Sequence, residues 1–216
     1  MTLSANPIPI TFQGSPTTTS SMSNTSRGDK SRVRISPSPF LRGVDATDNL
    51  GGVGALLSLR IITEGGNKTL YLTFVEPATA RTAISRIHQR EFPAIPSAAS
   101  IQLLPAEGFD LIQLPTNRLT RRIKLAGGGL FRIISPQNFY TEARKFAGPD
   151  GIEDINQPST GETVMTFASV YLANGYVDYL RTKKKHGLLQ GVRVEFSFLK
   201  DKCGNLTNPQ PWFKTF

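Results

Sequence analysis

The alternation of apolar and polar positions repeats along this chain. Leu70-Tyr71-Leu72-Thr73-Phe74 and Thr163-Val164-Met165-Thr166-Phe167 are both short runs with the two-residue period of a half-buried strand. Each is followed by an apolar ladder at the same offsets from its phenylalanine: Ala80, Ile84 and Ile87 after Phe74, and Ala173, Val177 and Leu180 after Phe167. Steps of four and three put each trio on one helical face. The pattern predicts a strand and then an amphipathic helix, twice. It places Phe74, Phe167, Met165, Ala173, Val177 and Leu180 in the core, with Phe196 and Phe198 beside them.

The flanks extend the match. Leu56 to Ile61 is β-rich and ends at Gly65-Gly66-Asn67, which predicts a hairpin into the first repeat. Phe139 to Arg144 reads as the corresponding strand of the second repeat, followed by a long loop through Gly148-Pro149-Asp150-Gly151 to Thr160-Gly161. A further strand is predicted after each helix, Ser100 to Leu104 and Gly191 to Phe198. Phe109 to Pro115 reads as an opening strand stopped by proline. Thr120 can cap a helix through Ile123, Leu125, Leu130, Phe131 and Ile134, interrupted at Gly127-Gly128-Gly129. In the first repeat Arg32 to Pro37 supplies the opening strand, and Phe40 to Gly54 a short or missing helix.

The reading is thus α+β: residues 1–31 a disordered tail rich in Ser, Thr, Asn and Pro, then two β-α-β-β-α-β units at 32–104 and 109–200. A short linker, 105–108, joins them, and a tail, 201–216, follows. Composition adds a direction. The chain has 216 residues and a formal net charge of +9, which favours an anionic partner such as nucleic acid. No apolar run approaches the roughly 20 residues of a membrane span. One cysteine, Cys203, excludes an internal disulfide, and with only His88 and His186 there is little material for a metal site or a nucleophile–base pair. No cofactor fingerprint is present, so a non-catalytic role without cofactor is expected. The N-terminal layout is not secretory, and a cytoplasmic or nuclear location is expected, with a mitochondrial address as the alternative.

At these residues the chain resembles the RNA-recognition motif family, in two tandem ferredoxin-like copies, each a four-stranded antiparallel sheet backed by two helices. Thr160-Gly161 to Phe167 occupies the place of the family's eight-residue signature in the second copy, and Leu111 to Pro115 that of the end of its six-residue signature. The resemblance implies single-stranded RNA bound on exposed sheet aromatics. The third and fifth positions of the longer signature are Thr69 and Tyr71 in the first copy, but Glu162 and Val164 in the second. The outward position of the shorter one is Arg34 in the first and Asp110 in the second.

Tyr71 is therefore either a base-stacking platform or a half-buried strand tyrosine. Arg60 and Arg144 fall at matching places in the predicted second strands, Lys68 begins the third strand where the family often carries a phosphate-binding base, and Arg193 should reach the sheet face. Arg118, Arg121, Arg122 and Lys124 form one basic cluster, and Arg181, Lys183, Lys184, Lys185 and His186 another, each able to track phosphates or else a solvated helix end. The competing function is a protein-interaction module that uses its sheets or helices, a reading supported by the two acids and the missing aromatics.

Overall fold

A computed structural model describes residues 30–105, 120–127, 135–159, 161–185, 195–204 and 212–214. In the first unit β1 (Arg32–Ser36), α1 (Gly43–Asn49), β2 (Leu56–Glu64), β3 (Asn67–Phe74), α2 (Pro77–His88) and β4 (Ser100–Leu104) follow one another. In the second come β5 (Arg122–Ala126), α3 (Pro136–Ala147), β6 (Ile152–Ser159), β7 (Glu162–Phe167), α4 (Val170–Lys185), β8 (Glu195–Leu199) and a short β9 (Trp212–Lys214). The sheet orders are β2-β3-β1-β4 and β6-β7-β5-β8-β9, with every pairing antiparallel. Each unit thus has the β-α-β-β-α-β topology of a ferredoxin-like fold, and the second adds a fifth strand.

Both cores form as the alternation requires. Val33, Ile35, Leu59, Leu70, Leu72 and Phe74 face Ala46, Ala80, Ala83 and Ile87 of the first helix pair. Ile123, Leu125, Met165, Phe167 and Phe196 face Phe139, Ala143, Ala173, Tyr176, Val177 and Leu180 of the second. The β2–β3 hairpin turns on Gly65-Gly66, both at positive φ (57° and 83°), between the paired residues Glu64 and Asn67. Two left-handed residues in a two-residue loop match the twist of the flanking strands, and glycine adopts them without steric cost.

The second unit corrects the sequence reading in three places. Ile123 and Leu125 lie on a strand, β5, and not on a helix: their alternation with Arg122, Lys124 and Ala126 has period two. Phe139 to Arg144 is helical, within α3. The Ser135 hydroxyl accepts a hydrogen bond from the Asn138 backbone N–H, Pro136 sits in the first turn, and the helix stops at Gly148. Phe139, Ala143 and Ala147 are four apart and form its inner face. The hairpin partner of β7 is then β6, in the stretch read as loop. It is an edge strand with register irregularities, which is how it tolerates Pro158. The proposed strand Phe109–Pro115, the helix positions Leu130, Phe131 and Ile134, and all of the 105–108 linker except Pro105 lie outside the described residues, as do residues 1–29.

The two units are joined by more than the connecting chain. The Leu59 N–H of edge strand β2 donates to the Ala168 carbonyl, and Ser58 forms a β-bridge with Ser169. The segment after β8, read as the start of a tail, packs back onto the first unit. Cys203 is fully buried in the first unit's core cluster, and its carbonyl accepts from Gly54 N–H at 2.7 Å.

Candidate nucleic-acid interface

Strand alternation divides each sheet into a face packed on helices and an open face. In the first sheet the positions on the face away from the helices are Arg32, Arg34 and Ser36 on β1, Ser58, Arg60, Ile62 and Glu64 on β2, Thr69, Tyr71 and Thr73 on β3, and Ser100, Gln102 and Leu104 on β4; of these Ser58, Thr69, Tyr71 and Thr73 are buried. Tyr71 sits in the middle of a register row, opposite Arg34 on one side and Arg60 on the other. It lies on the open face, away from the helices, yet is only 8% exposed.

Tyr71 is covered by its neighbours. The Arg32 guanidinium carbon lies 4.0 Å from the ring centroid, a cation–π contact of about 0.5–2 kcal/mol. The Tyr71 hydroxyl donates to the Glu64 carboxylate at 2.6 Å and accepts from Arg34 Nε at 3.2 Å, while Arg34 Nη2 reaches the other Glu64 oxygen at 3.1 Å. The three side chains close a ring of charge-assisted hydrogen bonds. Hydrogen bonds from Tyr71 and Arg34 hold the Glu64 carboxyl below its ordinary range and raise the Arg34 guanidinium.

The second open face has the same scaffold and a different lining. Arg122 and Lys124 on β5 pair across with Thr166 and Val164, as Arg32 and Arg34 pair with Thr73 and Tyr71. The position equivalent to Arg34 is therefore Lys124 and not Asp110, which lies outside the described residues. Lys124 is bound to Glu162 at 2.5 Å, and that bond lowers the Glu162 carboxyl. Arg122 Nη1 donates to the Lys200 carbonyl at 3.1 Å. Asp154 and Asn156 on β6 and Glu195, Ser197 and Leu199 on β8 share the face, and β9 continues the sheet beyond β8. Among the described residues of β5 to β8 it holds two cations against three carboxylates and no aromatic. The first face holds three arginines against one carboxylate.

The remaining predicted residues scatter. Arg121 is not at an interface: it is fully buried. Its Nε and Nη2 grip Asp201 in a fork at 2.6 and 3.1 Å, and its Nη1 pairs with Glu153. Burial opposes its charge, but Asp201 and Glu153 outweigh that and raise its pKa. Arg144 is not opposite Arg60. It stands exposed on α3, beside Tyr140, and the place equivalent to Arg60 is taken by Asn156. Lys68 shares its side of β3 with Leu70, and its ammonium donates to the Leu41 carbonyl at 3.0 Å. Arg193 lies outside the described residues. The residue that sequence reasoning missed is Arg32. It is two residues before Arg34, hence on the same face, and that spacing was the available signal.

No protein-family model matches the chain. No curated protein sequence matches it. Solved structures with tandem domains of this kind do. RNA-recognition domains 1 and 2 of Sex-lethal from Drosophila melanogaster are 12% identical, with a TM-score of 0.26, over 76% of this chain and 98% of that one. The first two such domains of the yeast poly(U)-binding protein Pub1 are 11% identical, with a TM-score of 0.27, over 76% and 98%. The C. elegans NONO-1 chain is 13% identical, with a TM-score of 0.28, over 74% of this chain and 58% of its own length. These are likenesses of fold.

Proposed function

We propose that this chain is a non-catalytic RNA-binding protein that takes single-stranded RNA on the open face of its first sheet. The observation that carries the reading is the register row Arg60–Tyr71–Arg34 with Arg32 over the ring. It sets guanidinium groups and a π-surface side by side on the sheet face opposite α1 and α2. Guanidinium groups neutralise phosphates and stack on bases, and unpaired bases offer both faces and edges. The net positive lining of this face and the formal charge of +9 point the same way. An intracellular location, nuclear or cytoplasmic, goes with this reading.

The second face, with three carboxylates against two cations, disfavours phosphate. We read it as a support or as a surface for a protein partner. A crosslinking map of uridine-containing single-stranded RNA on the full chain tests both assignments. The expected crosslinks fall on β1 to β3 around Tyr71 and Arg60. Crosslinks concentrated on β5 to β8, or on neither sheet, would overturn the assignment to the first face.

A further inference from the structure

A cavity of about 380 Å³ opens where the two units meet, on the helix side of the second sheet. Its back wall is Phe139 of α3 with Thr163 and Met165 of β7, all three buried. The first unit closes the other side with Arg42 and Val44, at the start of α1. Gly43 lets α1 come this close, since a Cβ there would crowd Glu153. The cavity therefore exists only in the docked pair of units. One group in it is out of balance. Thr163 is 3% exposed, and its hydroxyl has no hydrogen-bond partner among the described residues. A hydroxyl buried unpaired is costly, and a polar group entering from the cavity would remove that cost. At the mouth stand the exposed side chains of Gln137, Gln157 and Arg42.

We propose that this cavity takes a nucleobase of single-stranded RNA, with the Thr163 hydroxyl bonded to its inner edge and the phosphate left in solvent. This rests on the RNA-binding reading above and adds a contact on the second unit. Charge decides against an ion inside. Glu153 in the wall disfavours an anion. A cation would need a free carboxylate, but the Glu153 oxygens are taken by Thr47 and Arg121. Asp154 borders the cavity but belongs, by its pairing with Thr166, to the other face of β6. An aliphatic or phenyl side chain would leave the Thr163 hydroxyl unpaired. A base is neutral and planar and carries polar atoms around its edge, and the cavity is in the size range of small-ligand sites. The amides of Gln137 and Gln157 both donate and accept, as reading such an edge requires. A strand can arrive from the first sheet, because the Lys68 ammonium of β3 is bonded to the Leu41 carbonyl, next to Arg42.

The test uses the full chain, isotope-labelled at its methionine methyl groups, and a mixed-sequence single-stranded RNA whose binding is followed in parallel by anisotropy. Met165 lines the cavity and is the only methionine beyond residue 22, so its methyl resonance reports on this site. The proposal expects that resonance to shift as the RNA binds. Thr163→Val removes the hydroxyl and keeps the shape. It should weaken binding about two- to tenfold, the range of one hydrogen bond, while the melting temperature holds or rises, because the hydroxyl has no partner to lose. Val44→Trp, which fills the cavity from the first unit, should cancel the shift. RNA that binds with Met165 unmoved overturns the proposal and leaves the RNA reading standing. A shift that survives in Val44→Trp, or undiminished affinity in Thr163→Val, also overturns it. So does uridine monophosphate that binds here as tightly as the RNA, which would assign the cavity to a free nucleotide. If the wild type binds no RNA, the RNA reading fails and takes the proposal with it.

Discussion

The Thr47 hydroxyl, on α1 of the first unit, donates a 2.9 Å hydrogen bond to the Glu153 carboxylate of the second. Through it the buried Arg121–Glu153–Asp201 cluster of one unit is sealed by a helix of the other. Gly43, in the first turn of α1, makes the approach possible, since a Cβ there would stand 2.8 Å from Glu153 Cγ. Lys202 binds Asp48 at 2.8 Å across the same junction. The two sheets are thereby held at a fixed relation, which presents the first open face on a stiff support.

Breaking the buried cluster at one member should be severe. Arg121→Ala leaves Glu153 and Asp201 buried without their cation, and the expected loss is about 3–5 kcal/mol in a denaturant titration. Glu153→Gln, which removes the charge and keeps hydrogen-bonding atoms, should cost less. A loss under about 1 kcal/mol for Arg121→Ala would show that the cluster is not buried in solution.

Cys203 reports on the same junction. Burial, with Asp201 beside it, pushes its thiol pKa up, and the residue is fully buried. In the native protein a thiol reagent at neutral pH should react slowly, and at the full unhindered rate in denaturant. Gly43→Val, which drives a side chain into Glu153, should speed the reaction severalfold by loosening the junction. Equal rates in the two proteins would contradict this packing.

The ring of Tyr71, Glu64 and Arg34 has a pH signature. The Glu64 carboxyl is held below its ordinary value by hydrogen bonds from Tyr71 and Arg34. Its folded-state pKa is thus lower than its unfolded one, so its contribution to stability is present above the ordinary carboxylate range and is lost as pH falls through the depressed value. Carbon-detected NMR should find Glu64 titrating lower than an unpaired glutamate. Tyr71→Phe should move it upward; no movement would mean that the hydroxyl does not reach the carboxylate.

Much of the fold was legible because both core strands and both second helices carry strong periodicity. Phe74 with Ala80 and Ile87, and Phe167 with Ala173 and Val177, are buried where their spacing puts them. The opening of the second unit was harder. Arg122 to Ala126 is short, and a five-residue run fits a helix face and a strand face almost equally well. The cap at Ser135-Pro136 and the stop at Gly148 were present in the chain but were outweighed by the aromatic pair Phe139-Tyr140, which suggests a strand. β6 is an edge strand and needs apolar residues on one side only, so Asp154, Asn156 and Pro158 masked it. At the site, Tyr71 was placed on the correct face by alternation. Its burial under Arg32 was not legible, since that depends on a cross-strand diagonal and a side-chain rotamer. Arg121 looked like part of a basic cluster because its partners, Glu153 and Asp201, are 32 and 80 residues away.

The account predicts an electrostatic and stacking surface on one sheet, and the salt dependence of binding addresses that claim most directly. Affinity of the full chain for a mixed-sequence single-stranded RNA, measured from low to physiological salt, should fall linearly on a logarithmic plot, with a slope of about −0.7 per neutralised phosphate. Replacing Arg32, Arg34 and Arg60 together by glutamine should remove most of the affinity and flatten that line. Absence of binding at low salt, or an unchanged line in the triple variant, would contradict it.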